Sequence, residues 1–155
     1  MERQFWHIQL HSDKKLPEQV LRTILEEKSV IGMAASWTNK RGEAVKDPKQ
    51  FRDKMKIGDA VLVRNGRRPI ALVEIAGDAF ITADIDPESD WFPLRRKVKV
   101  LGFYDKKAEK ILNDSLSKYG KKQIQALGTL TLCSRPTATK DFIRSWWKYV
   151  NHKPF

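Results

Sequence analysis

One cysteine, Cys133, is all the thiol chemistry this 155-residue chain carries. It closes no internal disulfide, and with no second thiol a zinc finger is excluded. On an apolar stretch it reads as a small buried hydrophobe. Long hydrophobic runs are lacking too: nothing approaches the roughly 18 apolar residues that cross a bilayer. The start, Met1-Glu2-Arg3-Gln4-Phe5, has no apolar h-region. A soluble, cytoplasmic protein with no membrane partner is therefore expected. There is no internal repeat, low-complexity tract or Gly/Ser linker, and the length fits one domain.

Catalytic signatures are missing as well. There is no phosphate loop, no Gly-x-Ser-x-Gly elbow and no His-Glu-x-x-His, so an enzyme is not expected, nor a cofactor or metal. His7 and His11 are the only close histidine pair, and on a strand residues four apart share a face at roughly 13 Å, too far to share one metal. They read as two histidines on a polar face. Asp84, Asp86, Glu88 and Asp90 alternate like a calcium loop but lack the central glycine and final glutamate at the EF-hand spacing. Their expected role is to hold a loop in solvent or to keep phosphate off one side of a pocket.

Acidic residues are scarce in one place only. Residues 1–94 hold fifteen Lys/Arg and fifteen Asp/Glu, whereas residues 95–155 hold fifteen Lys/Arg against four acids, so the whole net charge of +11 lies in the last 61 residues. Such a block attracts a polyanion, because neutralised phosphates release condensed counterions. Arg95, Arg96, Lys97, Lys121, Lys122 and Arg135 are the expected phosphate ligands.

Hydrophobic periodicity predicts strands at 5–11, 60–63, 70–75, 79–83, 97–104 and 129–133. It predicts helices at 17–28, 47–55, 105–119 and 139–150, with Asp47 and Asp105 as N-caps and Gly120 as a stop. Residues 29–42 read as irregular, and Asn65-Gly66 as a hairpin. Trp6, Ile8 and Leu10 should face one side of the first strand, His7, Gln9 and His11 the other. The implied fold is α+β: a small, mixed, curled β-sheet or barrel with peripheral helices.

Of the five tryptophans, Trp6 and Trp146 fall on core-facing positions and Trp147 at a partly exposed one. Trp37 and Trp91 sit in polar loops, Ser36-Trp37-Thr38-Asn39 and Ser89-Asp90-Trp91-Phe92-Pro93. A large aromatic there is either a lid on the core or a recognition group, and two could sandwich a base.

The order strand 5–11, helix, Ile31-Gly32-Met33-Ala34-Ala35-Ser36-Trp37, short helix, Met55-Lys56-Ile57-Gly58-Asp59-Ala60-Val61-Leu62-Val63, hairpin, Asp90-Trp91-Phe92-Pro93-Leu94-Arg95-Arg96-Lys97-Val98 resembles the EVE branch of the PUA-like superfamily, which also contains the YTH readers. The match covers about 4–104 and leaves 105–155 as a basic C-terminal extension of a single domain. The resemblance implies a small barrel whose aromatic pocket receives a modified base, with Trp37 and Trp91 as the cage and Ser36, Thr38 and Asn39 bonding the base edge. It implies methylated DNA as partner, a base flipped out of the duplex, and a role as the specificity module of a McrB-type modification-dependent restriction system with a nuclease or NTPase effector. The alternative is an RNA-binding PUA-like module in RNA metabolism. N6-methyladenine and 5-methylcytosine both fit such a cage.

Overall fold

A stretch such as Ala60-Val61-Leu62-Val63, apolar at odd and even positions alike, is stable in water only as a strand covered on both faces. The computed structural model describes residues 2–10, 16–126 and 128–152 and covers that strand on both. His11 lies outside the described residues.

The elements are β1 (Phe5–Gln9), α1 (Glu18–Thr23) running on into a π-helical turn (Ile24–Lys28), β2 (Val30–Met33), α2 (Asp47–Asp53), β3 (Ala60–Asn65), β4 (Arg68–Ile75), β5 (Phe80–Ile81), β6 (Leu94–Phe103), α3 (Lys106–Lys118), β7 (Leu130–Leu132) and α4 (Ala138–Asn151). Strand order is β2-β6-β4-β3-β1-β7, with β5 also on β6. β1 and β3 run parallel, and the other pairs are antiparallel. The fold is the expected α+β arrangement around a curled, mixed sheet.

β6 makes the curl. Leu94–Lys97 pairs with β2, Leu94 and Arg95 also with β5, and the following half pairs with β4 through a register shift at Leu72/Val73. Such an irregularity bends and twists a strand. On one face of the sheet, Trp6, Ile8, Val61, Val63 and Val73 pack with Leu21, Leu25 and Phe51 from α1, the π-turn and α2. On the other, Ala60, Leu62 and Leu72 pack under Leu112 and Leu116 of α3 and Phe142, Ile143 and Trp146 of α4. The segment after residue 105 thus supplies the cover of that second face. Among the described residues no helix is long and apolar enough to cross a membrane.

Several local expectations shift. β2 falls in the stretch read as irregular: its four residues are all buried, so no alternation marks it. Ser29, at φ 52°, takes the left-handed conformation that stops the preceding helix and turns the chain into β2. Asp47 is not the N-cap of α2; Lys46 is, and the Asp47 carboxylate accepts the Leu130 amide at 3.1 Å, tying α2 to β7. The hairpin loop is Gly66-Arg67, since Asn65 pairs with Arg68. Asp105 does cap α3, accepting the Ala108 amide at 2.8 Å.

His7 does not face solvent, and Gln9 is half-buried. They lie under the α3–α4 face with Arg64, where His7 and Arg64 are both fully buried. Arg64 Nε donates to His7 Nδ1 at 2.9 Å, and its Nη1 to Gln9 Oε1 at 2.8 Å. Burial, reinforced by the Arg64 charge, pushes the His7 imidazole down to about 3. It is therefore neutral, with Nδ1 as acceptor, and its Nε2 has no hydrogen-bond partner among the described residues.

Asp59 organises the opposite end of β1. It accepts from the Gln4 amide (3.1 Å), Gln4 Nε2 (2.9 Å), Trp6 Nε1 (3.0 Å) and the Lys56 amide (3.0 Å).

Asp59→Ala should cost about 3 kcal/mol in urea unfolding, because it strands the buried Trp6 N–H and two amides. His7 sets a pH dependence. Unfolded, it binds a proton below about 6.5; folded, it resists protonation down to about 3. Stability present above pH 6.5 is thus lost as pH falls, at about 1.4 kcal/mol per unit. Urea titrations at pH 7 and 5 should show the wild type losing about that much per unit more than His7→Gln.

Candidate nucleic-acid interface

Trp37 follows β2 by four residues and Trp91 precedes β6 by three. Because Met33 pairs with Leu94, both loops leave the same end of the β2–β6 pair. Sequence distance of 54 positions is thereby cancelled by one antiparallel ladder. Both rings are half-buried at the margin of the first core.

Each loop is held by its own bonds. Trp91 donates Nε1–H to the Leu10 carbonyl at 2.7 Å, and its ring stands edge-on to Phe92 at 5.7 Å. That hydrogen bond joins the approach to β6 with the exit of β1, strands that β4 and β3 separate within the sheet. The Trp37 carbonyl accepts the Val45 amide at 3.0 Å, and Thr38 bridges Ala44. Asn39 Oδ1 accepts the Arg41 and Glu43 amides at 2.9 and 3.0 Å, so this oxygen builds the turn. Ser36, Thr38 and Asn39 are exposed. Among the described residues, cavities of about 200–670 Å³ open elsewhere on the surface, and neither tryptophan lines these.

Gly32 makes this end possible. A Cβ there would stand 2.2 Å from the Leu94 carbonyl oxygen and 2.4 Å from Phe92 Cδ2. Only a glycine lets β2 lie against β6 with Phe92 packed beneath the Trp91 loop.

The expected phosphate ligands divide. Arg95 and Arg96 are buried and have other work. Arg95 donates Nε–H to the Phe92 carbonyl (2.9 Å) and Nη2 to the Asp84 and Asp90 carbonyls (3.2 and 2.8 Å) and to Asp90 Oδ2 (3.0 Å). Arg96 serves the carbonyls of Phe51 (2.9 Å), Gly77 (2.9 Å), Arg52 (3.1 Å) and Met55 (2.7 Å). Both side chains are enclosed and bonded within the protein, so neither stands at the surface that a phosphate would reach. Lys97, Lys121, Lys122 and Arg135 are exposed. Lys97 Nζ reaches the Lys28 carbonyl at 3.3 Å.

The acidic loop also divides. Asp84, Asp86 and Glu88 are exposed, but Asp90 is buried and pairs with Lys28 and Arg95. Burial alone would raise the Asp90 carboxyl; hydrogen bonds from Lys28 and Ser89, with the Arg95 charge, hold it below the ordinary carboxylate range. Among the described residues no group of three or more His, Cys, Asp or Glu side chains is placed to hold a metal ion. Burial drives the Cys133 thiol up to about 12, which leaves it unreactive at neutral pH.

Two basic concavities were not legible in the sequence as sites. Lys121 and Lys122 line a cavity of about 630 Å³ together with Arg67 and Tyr119. Lys46, Lys49, Lys54 and Lys56, with one acid, Asp53, line another of about 670 Å³ beside α2, in the half of the chain with no net charge. Charge counting along the chain averages that cluster away; the spacing of the lysines around one short helix was the available signal.

No protein-family model matches the chain, and no curated protein matches it. Among solved structures it is similar to human THYN1 in complex with DNA containing 5-methylcytosine, at 13% identity and a TM-score of 0.41 over 97% of this chain and 99% of that one. It is also similar to protein Atu2648 from Agrobacterium tumefaciens, at 15% identity and a TM-score of 0.39 over 90% of each chain.

Gly32→Ala should lower stability by about 2 kcal/mol or more, as overpacking against backbone does. Gly77→Ala, whose added Cβ would meet Lys97 Cβ at 3.4 Å, should change little. Urea midpoints of the two variants check the contrast.

Proposed function

We propose that this chain is a non-catalytic, PUA-like module of the EVE type that binds DNA and takes a methylated base, flipped from the duplex, between Trp37 and Trp91. It acts as the specificity part of a modification-dependent restriction system in the cytoplasm, beside a nuclease or NTPase effector. The observation supporting the site is that two tryptophans far apart in sequence stand on hydrogen-bonded loops at one end of the β2–β6 pair. Trp91 has its only donor committed to Leu10, so what it offers a ligand is a π-face in a fixed orientation. Stacking on such a ring favours any base; a methyl group adds contact area within the cage.

Exposed Asp84, Asp86 and Glu88 border the same end. They repel phosphate and favour the approach of a base over that of the backbone. Affinity then comes from cationic surface elsewhere, and selectivity from the ring pair, since phosphate contacts position and base contacts specify.

The test is a binding panel of DNA duplexes carrying N6-methyladenine, 5-methylcytosine or no modification, with a matched RNA, each at two salt concentrations. One methylated duplex should bind more tightly than its unmodified twin. Trp37→Ala and Trp91→Ala should each weaken binding to the methylated duplex by about 5- to 150-fold, the equivalent of one lost stacking contact, and should reduce that preference. Equal affinity for all the DNA duplexes would remove the methylated-base reading, and tighter binding to the RNA would replace DNA with RNA.

A further inference from the structure

We propose that the cavity of about 630 Å³ between the β3–β4 hairpin tip and the start of α4 is a preformed cleft for the sugar–phosphate backbone, with Tyr119 as an aromatic surface beside it. It rests on the nucleic-acid reading above for its polymer, but not on the methylated base.

Three cations line this cleft from two separate parts of the chain: Arg67 from the hairpin tip, and Lys121 and Lys122 from the segment after α3. Among the described residues, no Asp or Glu lines it. Like charges around one concavity repel unless an anion sits among them. The cleft also takes in Ala138 and Thr139, the first residues of the 14-residue α4, where helix amides and the positive end of the helix dipole favour an anion. Tyr119 is 36% exposed, and Lys118 Nζ stands over its ring at 5.8 Å from the centroid, a further cation beside the cleft.

The walls are built to stay in place. The Gln125 amide donates to Thr139 Oγ1 at 2.8 Å, and Thr139 itself is 1% exposed. Thr137 Oγ1 caps α4 by accepting the Lys140 amide at 3.1 Å. The Lys121 amide returns to the Leu116 carbonyl at 2.8 Å, and Ile124 is inserted in the second core. Arg64 ties the hairpin tip to Gly128. Its Nη1 reaches the Gly66 carbonyl in the hairpin at 3.3 Å, and its Nη2 the Gly128 carbonyl at 2.6 Å. Gln9 Oε1, already bound to Arg64, accepts the Gly66 amide at 2.6 Å. The buried cation therefore fixes the loop that carries the exposed one, Arg67.

The experiment compares two triple variants of the full chain that remove the same charge: Arg67→Ala/Lys121→Ala/Lys122→Ala in the cleft, and Lys106→Ala/Lys110→Ala/Lys148→Ala on exposed positions of α3 and α4. Affinity for an unmodified duplex is measured across a salt series. The cleft variant should bind about tenfold more weakly at physiological salt, and its slope of log K against log salt should be shallower by about 2–3, since each phosphate contact carries about 0.9. The control variant should lose clearly less. Equal loss in both, or no loss in the cleft variant, overturns the proposal. In parallel, inorganic phosphate is titrated into isotope-labelled wild type. Amide resonances of Lys121, Lys122, Ala138 and Thr139 should shift together; their silence also overturns it. Phosphate shifts without any change in DNA affinity would make the cleft a small-anion site and overturn the backbone assignment. A wild type with no preference for methylated DNA would sink the base reading alone. A cleft variant with unchanged DNA affinity would sink only this inference.

Discussion

Burying a guanidinium obliges the surrounding chain to supply acceptors in fixed directions, and three arginines impose that condition here. Arg64, Arg95 and Arg96 are each almost completely enclosed. An uncompensated buried charge costs several kcal/mol, and a charge-assisted hydrogen bond returns about 1.5–3. The loops that meet these groups are therefore not free to wander. Arg96 gathers the end of α2 and the turn after β4. Arg95 gathers the acidic loop that carries Trp91. Arg64 gathers the hairpin tip and Gly128. The curled sheet gives each arginine its place, and each arginine gives a loop its shape.

This division of labour changes what the basic composition means. Two of the six cations expected at a phosphate surface are structural, and four lysines from the neutral half of the chain gather around α2. The cationic surface is thus spread over separate concavities, not laid along one third of the chain. The end that carries Trp37 and Trp91 is bordered by exposed acids. The exposed lysines and the two loop tryptophans thus occupy separate parts of the surface.

Much of the fold was legible. The Pro48 and Asp105 helix starts, the stripe of Phe142, Ile143 and Trp146, and the hairpin near Gly66 follow from local chemistry, and each element stands within a few residues of its expected bounds. β2 was not legible, because a four-residue strand buried on both faces has no alternation to read. His7 was misread for the related reason. Alternation along β1 correctly separates Trp6 and Ile8 from His7 and Gln9, but cannot tell that α3 and α4 bury the second set as well.

By itself the sequence determined that this is an α+β chain with excess positive charge, a lone cysteine and two tryptophans outside any periodic pattern. Those are properties of composition and of neighbours a few residues apart. Tertiary structure alone decided which arginines are buried, that Trp37 and Trp91 share one end of a ladder, and that Arg67 meets Lys121 and Lys122 around one cleft. Each of those depends on segments dozens of residues apart meeting across the sheet, and neither charge counting nor periodicity carries information over that distance.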